Sequence, residues 1–195
     1  MIAYMDSFLV KIYKSPQTVF TSKEIALLTG EKSPTNLKNK ISYYVKTGSL
    51  LRLRRGFFAK NKDFDRNELA VKIFTPAYVG FETVLAREGV IFQLYESIFA
   101  ASYLSRSLAV KGEKIVYRKL KNEILVNPKG IINKGTYFQA SKERAFLDMV
   151  YLFGDYYFDN LRGIDWEACF DIAPIYGQKK FAEKIKQYQE KYYAQ

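Results

Sequence analysis

An α+β fold is what this sequence predicts, and three observations predict it. Apolar residues recur at helical spacing through the first 48 residues and again from residue 141 onward, whereas residues 90–140 read as short β-rich runs separated by turn residues. Two of the early helical stretches are joined by a four-residue link and are followed at once by a basic, alternating segment with a tight turn. Positive charge is concentrated at the same end: residues 1–60 hold eleven Lys/Arg against three acids, while residues 61–195 hold twenty against seventeen. Of a net charge of +11, eight units therefore sit on less than a third of the chain. A focused basic patch calls for a polyanionic partner, with nucleic acid ahead of an anionic membrane surface.

Taken in order, Ile2, Met5, Phe8, Leu9, Ile12 and Tyr13 predict an amphipathic first helix that Ser15-Pro16 stops. Val19-Phe20 is short and extended. Thr21 with Glu24 three residues on is a capping-box pattern for a helix over 22–29, closed by Gly30. Ser33 as N-cap and Pro34 as first residue open a third helix that runs to Gly48. Leu37, Ile41, Tyr44 and Val45 share its inner face; Thr35, Asn36, Asn39, Ser42, Tyr43 and Lys46 form the outer face, flanked by Lys38 and Lys40. Leu51 and Leu53 then alternate with Arg52 and Arg54, Arg55-Gly56 turns the chain, and Phe57-Phe58-Ala59 returns it. Helix, helix-turn-helix and basic hairpin is the order of a winged helix. The expected organisation is a winged-helix domain over 1–62 and an α+β domain over 63–195, with the boundary in the polar stretch 61–65.

In the second domain, helices are expected over 67–74 and 81–88, with a short extended piece at 77–80 between them. The β-rich runs are 90–92, 98–103, 114–118, 124–126 and 131–138, and helices return over 141–153 and 178–193. Mixed or antiparallel strands with packed helices follow from that order. Asp148 lies on or beside the apolar stripe of the 141–153 helix, where burial would demand a basic partner; a solvated edge is the alternative.

Composition narrows the chemistry. With 48% hydrophobic and 26% charged residues the chain is that of an ordinary globular protein, and no apolar run reaches the roughly 18 residues that cross a bilayer. Met1–Asp6 lacks the basic start and apolar stretch of a secretory signal, and a single cysteine, Cys169 beside Phe170 and near Trp166, allows no internal disulfide. A cytoplasmic protein is expected. There is no histidine, which removes Ser-His-Asp and Cys-His nucleophiles, histidine general bases and histidine-held metals. No GxGxxG, phosphate-cradling GKS/GKT loop, CxxC pair or nucleophile elbow occurs. No cofactor, metal or catalytic residue is expected. A metal-dependent nuclease built on Asp155, Asp159, Asp165, Glu167 and Asp171 is an alternative, as are a regulator whose aromatic-rich second domain senses a small molecule and a winged helix used for protein contact.

On the full length, the chain resembles the AbiEi-type antitoxin family of abortive-infection, type IV toxin–antitoxin systems. The stretches that carry the resemblance are Leu53-Arg54-Arg55-Gly56-Phe57-Phe58-Ala59, Glu68-Leu69-Ala70-Val71-Lys72-Ile73 with Pro76-Ala77-Tyr78-Val79, Phe81-Glu82-Thr83-Val84-Leu85-Ala86-Arg87-Glu88-Gly89, and Ala140-Ser141-Lys142-Glu143-Arg144-Ala145-Phe146-Leu147-Asp148. None of these motifs is catalytic, and the match rests on their order and spacing. The resemblance implies a DNA-binding N-terminal winged helix that recognises repeats in its own promoter and represses its operon. It also implies a C-terminal domain that opposes a nucleotidyltransferase-like toxin, often without a stable complex, in defence against phage. On that reading Lys38, Lys40, Lys46, Arg52, Arg54, Arg55 and Lys60 neutralise phosphates, while Asn36, Asn39, Ser42 and Tyr43 read bases.

Overall fold

The computed structural model describes residues 7–193, and within them the chain is α+β, with two sheets. The first helix, α1 (Ser7–Lys14), buries Phe8, Leu9 and Ile12; Ile2 and Met5, expected on the same stripe, lie outside the described residues. β1 (Val19–Thr21) leads into α2 (Ser22–Thr29), where the capping box forms as the sequence predicts: the Thr21 hydroxyl accepts the Glu24 N–H and the Glu24 carboxylate accepts the Thr21 N–H. Gly30 closes it in the left-handed conformation, at φ 75°. α3 (Pro34–Lys46) starts from Ser33, whose hydroxyl accepts the Asn36 N–H.

The hairpin β2 (Leu51–Arg54) and β3 (Phe57–Ala59) turns at Arg55-Gly56, with Gly56 at φ 81°. β1 adds a third strand, pairing antiparallel with β3 to give the order β1-β3-β2. Adjacent side chains in a strand point to opposite faces, and this small sheet uses both. Phe20 and Phe58 join Phe8, Ile12, Ile25, Ile41 and Tyr44 in one core, whereas Val19, Leu53 and Ala59 belong to the larger core of the rest of the chain.

α4 (Arg66–Ile73), capped by Asp65, follows directly and packs on that sheet. Its Glu68 is fully buried, and one carboxylate oxygen accepts the Thr18 N–H at 2.8 Å, the Thr18 hydroxyl at 2.6 Å and the Val19 N–H at 3.3 Å. Lys72, one turn on, donates to the Val19 carbonyl at 2.6 Å and pairs with both Glu24 and Glu68. The segment 61–65 is polar, as expected, but it does not leave the two parts loosely tethered, because buried charge bolts α4 to β1 and α2.

Six strands make the second sheet: β4 (Ala77–Val79), β5 (Ile98–Ser102), β6 (Arg106–Val110), β7 (Glu113–Lys119), β8 (Ile131–Asn133) and β9 (Phe138–Ala140), in the order β6-β7-β5-β4-β9-β8. The sheet is mixed: β5 with β7 and β4 with β9 run parallel, the other pairs antiparallel. β4 and β5 are buried at every position, so helices cover both faces. Neighbours on β7 show which. Tyr117 donates to the Ala70 carbonyl of α4, while Arg118 pairs bidentately with Glu82 of α5 (Phe81–Arg87) and reaches Met149 of α7 (Lys142–Phe153). α4 therefore lies on one face and α5 and α7 on the other.

Three sequence expectations are overturned and two elements are added. The run expected over 131–138 divides into β8 and β9, which pair antiparallel. Residues 90–92 form no strand, although Val90 and Ile91 are buried: Val90 spends its N–H on the Leu85 carbonyl and its own carbonyl on the Asn160 N–H, leaving nothing for a ladder. Residues 124–126 are not extended, because α6 (Asn122–Leu125) is a short helix. β6 carries no strand pattern in the sequence because Arg106, Ser107 and Ala109 are exposed on an edge strand, which blurs alternation. α8 (Trp166–Ile172) is a further helix that the sequence pattern does not predict; Asp165 caps it at Ala168, and Trp166, Cys169 and Ile172 bury one face. A 3-10 turn (Ala173–Tyr176) and α9 (Phe181–Tyr193) complete the described chain. Among the described residues no helix is long and apolar enough to cross a membrane.

Asp148 has the buried basic partner that its place on α7 demanded. Arg144, one turn earlier and fully buried, donates to Asp148 at 3.1 Å, to the Tyr78 hydroxyl at 2.9 Å, and to the carbonyls of Ile124 and Lys129 at 2.6 and 2.7 Å. Tyr78 and Tyr176 in turn donate to Asp148. Burial opposes the charge on Arg144, but Asp148 and the two tyrosine oxygens overcome it and hold the guanidinium protonated. Gly130 is needed at its position: φ is +70°, and a Cβ there would stand 2.7 Å from the Arg144 Cβ.

Candidate nucleic-acid interface

α3 presents its polar face because its apolar face is anchored. Ile41 and Tyr44 are buried, and the Tyr44 ring stacks on Phe8 of α1 at 5.4 Å between centroids. With that face held, Asn36, Lys38, Asn39, Lys40, Ser42, Tyr43 and Lys46 are all exposed, Tyr43 at 61%. Lys40 is the least free of them. Its ammonium pairs with Glu31 at 3.0 Å and sits 5.4 Å from the Phe8 ring centre, and it holds the Glu31 carboxyl below its usual range.

The hairpin shares the core of α3, Phe58 packing in the same cluster as Ile41 and Tyr44. Leu53 points inward, so alternation turns Arg52 and Arg54 outward, and Arg55 is exposed in the turn. Partner-strand rings support the guanidinium groups: Arg52 lies 5.7 Å from the Phe58 ring centre and Arg54 5.6 Å from that of Phe57. The hairpin is braced at its tip, where the Gly56 carbonyl accepts the Ser22 N–H of α2.

Lys60 falls outside this exposed set. It is half-buried, and its ammonium donates to the Ser15 and Tyr13 carbonyls at the end of α1. Burial pushes its pKa down. Tyr13 answers by donating to the Lys60 and Ser49 carbonyls. Lys60 ties the third strand to the first helix, and sequence alternation alone carried no sign of that.

The fold adds cations that the linear reading missed. Leu53 and Arg54 share a cleft with Phe74 and with Arg106, Leu108, Ala109, Val110 and Lys111 of the β6–β7 hairpin, so Arg106 and Lys111 come beside Arg54 from far along the chain. No sequence signal marks them, since they lie in a segment with near-balanced charge. Chemically, the helix offers amide and hydroxyl groups with both donors and acceptors, and the hairpin offers guanidinium groups suited to phosphate.

The acids considered for a metal site do not converge. Asp155 pairs with Lys184, Asp159 accepts the Phe92 N–H, Asp165 caps α8, and Asp171 pairs with Lys129. Among the described residues no group of three or more acids and cysteines is placed to hold a metal ion. No protein-family model matches the chain, and no curated protein matches it.

Proposed function

We propose that this chain is a DNA-binding antitoxin that represses its own operon. α1 to β3 is its winged helix, with α3 in the major groove and the β2–β3 hairpin on the phosphate backbone. One observation carries the DNA-binding half: α3 exposes an uninterrupted, acid-free polar face, and within ten residues of its end a braced hairpin exposes three arginines. Asn36, Asn39, Ser42 and Tyr43 read base edges, since amide and hydroxyl groups distinguish base pairs there. Lys38, Lys46, Arg52, Arg54 and Arg55 contact phosphate, with Lys40 joining them if it releases Glu31. The antitoxin half rests on the resemblance to AbiEi-type proteins: the second domain counteracts a nucleotidyltransferase-like toxin encoded beside it.

About six phosphate contacts give a log–log salt slope of roughly −5 for binding to the chain's own promoter. Replacing Arg54 and Arg55 by Gln lowers that slope by about two and weakens binding to all sequences alike, whereas Asn39→Ala narrows the gap between promoter and random DNA. A flat salt dependence sinks the DNA-binding reading. Co-expression with the neighbouring toxin tests the rest: growth is rescued by the wild type and by the Arg54/Arg55 variant, while only the wild type represses a promoter reporter. No rescue by either removes the antitoxin role and leaves a repressor.

A further inference from the structure

A cavity of 810 Å³ opens in the second domain, walled by Phe92, the segment from Asp155 to Arg162, and the C-terminal turns of α9. No residue of the winged-helix region lines it, and the volume is that of a small-molecule site. Its inner wall is built in advance. Phe158 is buried, with its ring 4.8 Å from Phe146 and 5.5 Å from Tyr188, and the Tyr188 hydroxyl donates to the Gly154 and Tyr156 carbonyls, clamping the segment to α9.

The rim is unusual for a surface. Phe92, Tyr157 and Tyr193 are 67%, 78% and 71% exposed, three large rings turned to solvent around one opening. The charged lining is divided by use. Both carboxylates are engaged, Asp155 with Lys184 at 3.2 Å and Asp159 with the Phe92 N–H at 2.8 Å. The side chains of Arg162 and Lys191 have no hydrogen-bond or ion-pair partner among the described residues. What the cavity leaves on offer is therefore flat apolar faces and two cations.

We infer that this cavity binds a small planar aromatic anion, a ring system carrying a phosphate or a carboxylate. The ring lies against Phe92, Tyr157 and Tyr193, and the anionic group meets Arg162 and Lys191. The site is independent of the antitoxin reading and stands or falls without it.

Trp166 is the only tryptophan, and its ring centre lies 6.4 Å from that of Tyr192 in the cavity wall, so its fluorescence reports occupancy. The full chain is titrated with AMP and with benzoate, and with their uncharged counterparts adenosine and benzamide, by tryptophan fluorescence and by calorimetry. AMP or benzoate is expected to saturate, and which of them does so identifies the anion as phosphate or carboxylate. Each uncharged counterpart should bind at least about tenfold more weakly, as should the anion to an Arg162→Gln/Lys191→Gln variant, given the strength of charge-assisted hydrogen bonds. Tyr157→Ala, at an exposed position that leaves the core untouched, should weaken charged and uncharged ligands alike. The inference is overturned if neither anion saturates at millimolar concentration, or if the uncharged compounds bind as tightly as the charged ones.

Discussion

At the scale of single residues, Arg144 is the most consequential side chain around the six-stranded sheet. It joins α6, the turn before β8, α7 and, through Asp148 and the tyrosines, β4 and the 3-10 turn. Arg144→Leu leaves Asp148 buried without its cation and strips the donor from the Ile124 and Lys129 carbonyls. A loss of about 3–5 kcal/mol is expected, because a buried charge deprived of its partner is costly. For a chain of this length that corresponds to a fall in Tm of roughly 10 °C, measured by calorimetry. Asp148→Asn keeps hydrogen-bonding capacity toward both tyrosines and should cost less; a larger loss from it would put the network's centre on Asp148. The spacing of Arg144 and Asp148 on one helix face was visible in the sequence. Their burial, and the carbonyls of Ile124, Asn127 and Lys129 that converge on the guanidinium, were not, because those carbonyls come from α6 and the turn after it, whose path depends on the arginine they wrap.

Among the elements, α2 is the most readable and also the one whose cap titrates. Burial opposes the ionised form of Glu24, but hydrogen bonds from Lys72 and Thr21 outweigh it and hold the carboxyl below its ordinary 4.5. A carboxyl whose pKa falls on folding stabilises the fold fully above its unfolded pKa and loses that contribution as pH drops through the folded value. Glu24→Gln should therefore lower the urea midpoint at neutral pH, and the gap from wild type should close in acid. A gap that stays constant with pH would mean that Lys72 and Thr21 do not favour the ionised form. α2 was legible to the residue and α3 at its start, though α3 ends at Lys46 rather than at Gly48, because caps are local chemistry, set by side chains within three positions. β6, α6 and α8 were not, being short elements whose apolar residues support either period. Their state was decided by neighbours: β7 for the first, Arg144 for the second, and α7 for the third.

Over the whole molecule, the junction between the two cores is the feature with the widest reach. Val19, Leu53 and Ala59 complete the larger core, while Glu68 and Lys72 of α4 bind the backbone of residues 18 and 19 and reach Glu24. This fixes the three-stranded sheet and its hairpin relative to the six-stranded sheet, and Arg106 and Lys111 line one cleft with Arg54. Glu68→Leu leaves the Thr18 and Val19 backbone donors without their acceptor, while Lys72 keeps Glu24 and the Val19 carbonyl, and should cost about 3 kcal/mol. Hydrogen exchange would then rise in residues 19–59 before Trp166 fluorescence reports loss of the second domain; simultaneous loss would show that apolar contacts alone hold the junction. By itself, the sequence determined the α+β class, the capped helices, the outward polar face of α3 and the outward arginines of the hairpin. Each follows from a period or a cap acting over a few residues. Only the tertiary structure decided that Lys60 turns inward, that one small sheet serves two cores, that Asp155, Asp159, Asp165 and Asp171 each go to a different partner, and that aromatic residues from three segments enclose a cavity. These depend on side chains far apart in sequence competing for the same buried partners, and no local pattern records the outcome of that competition.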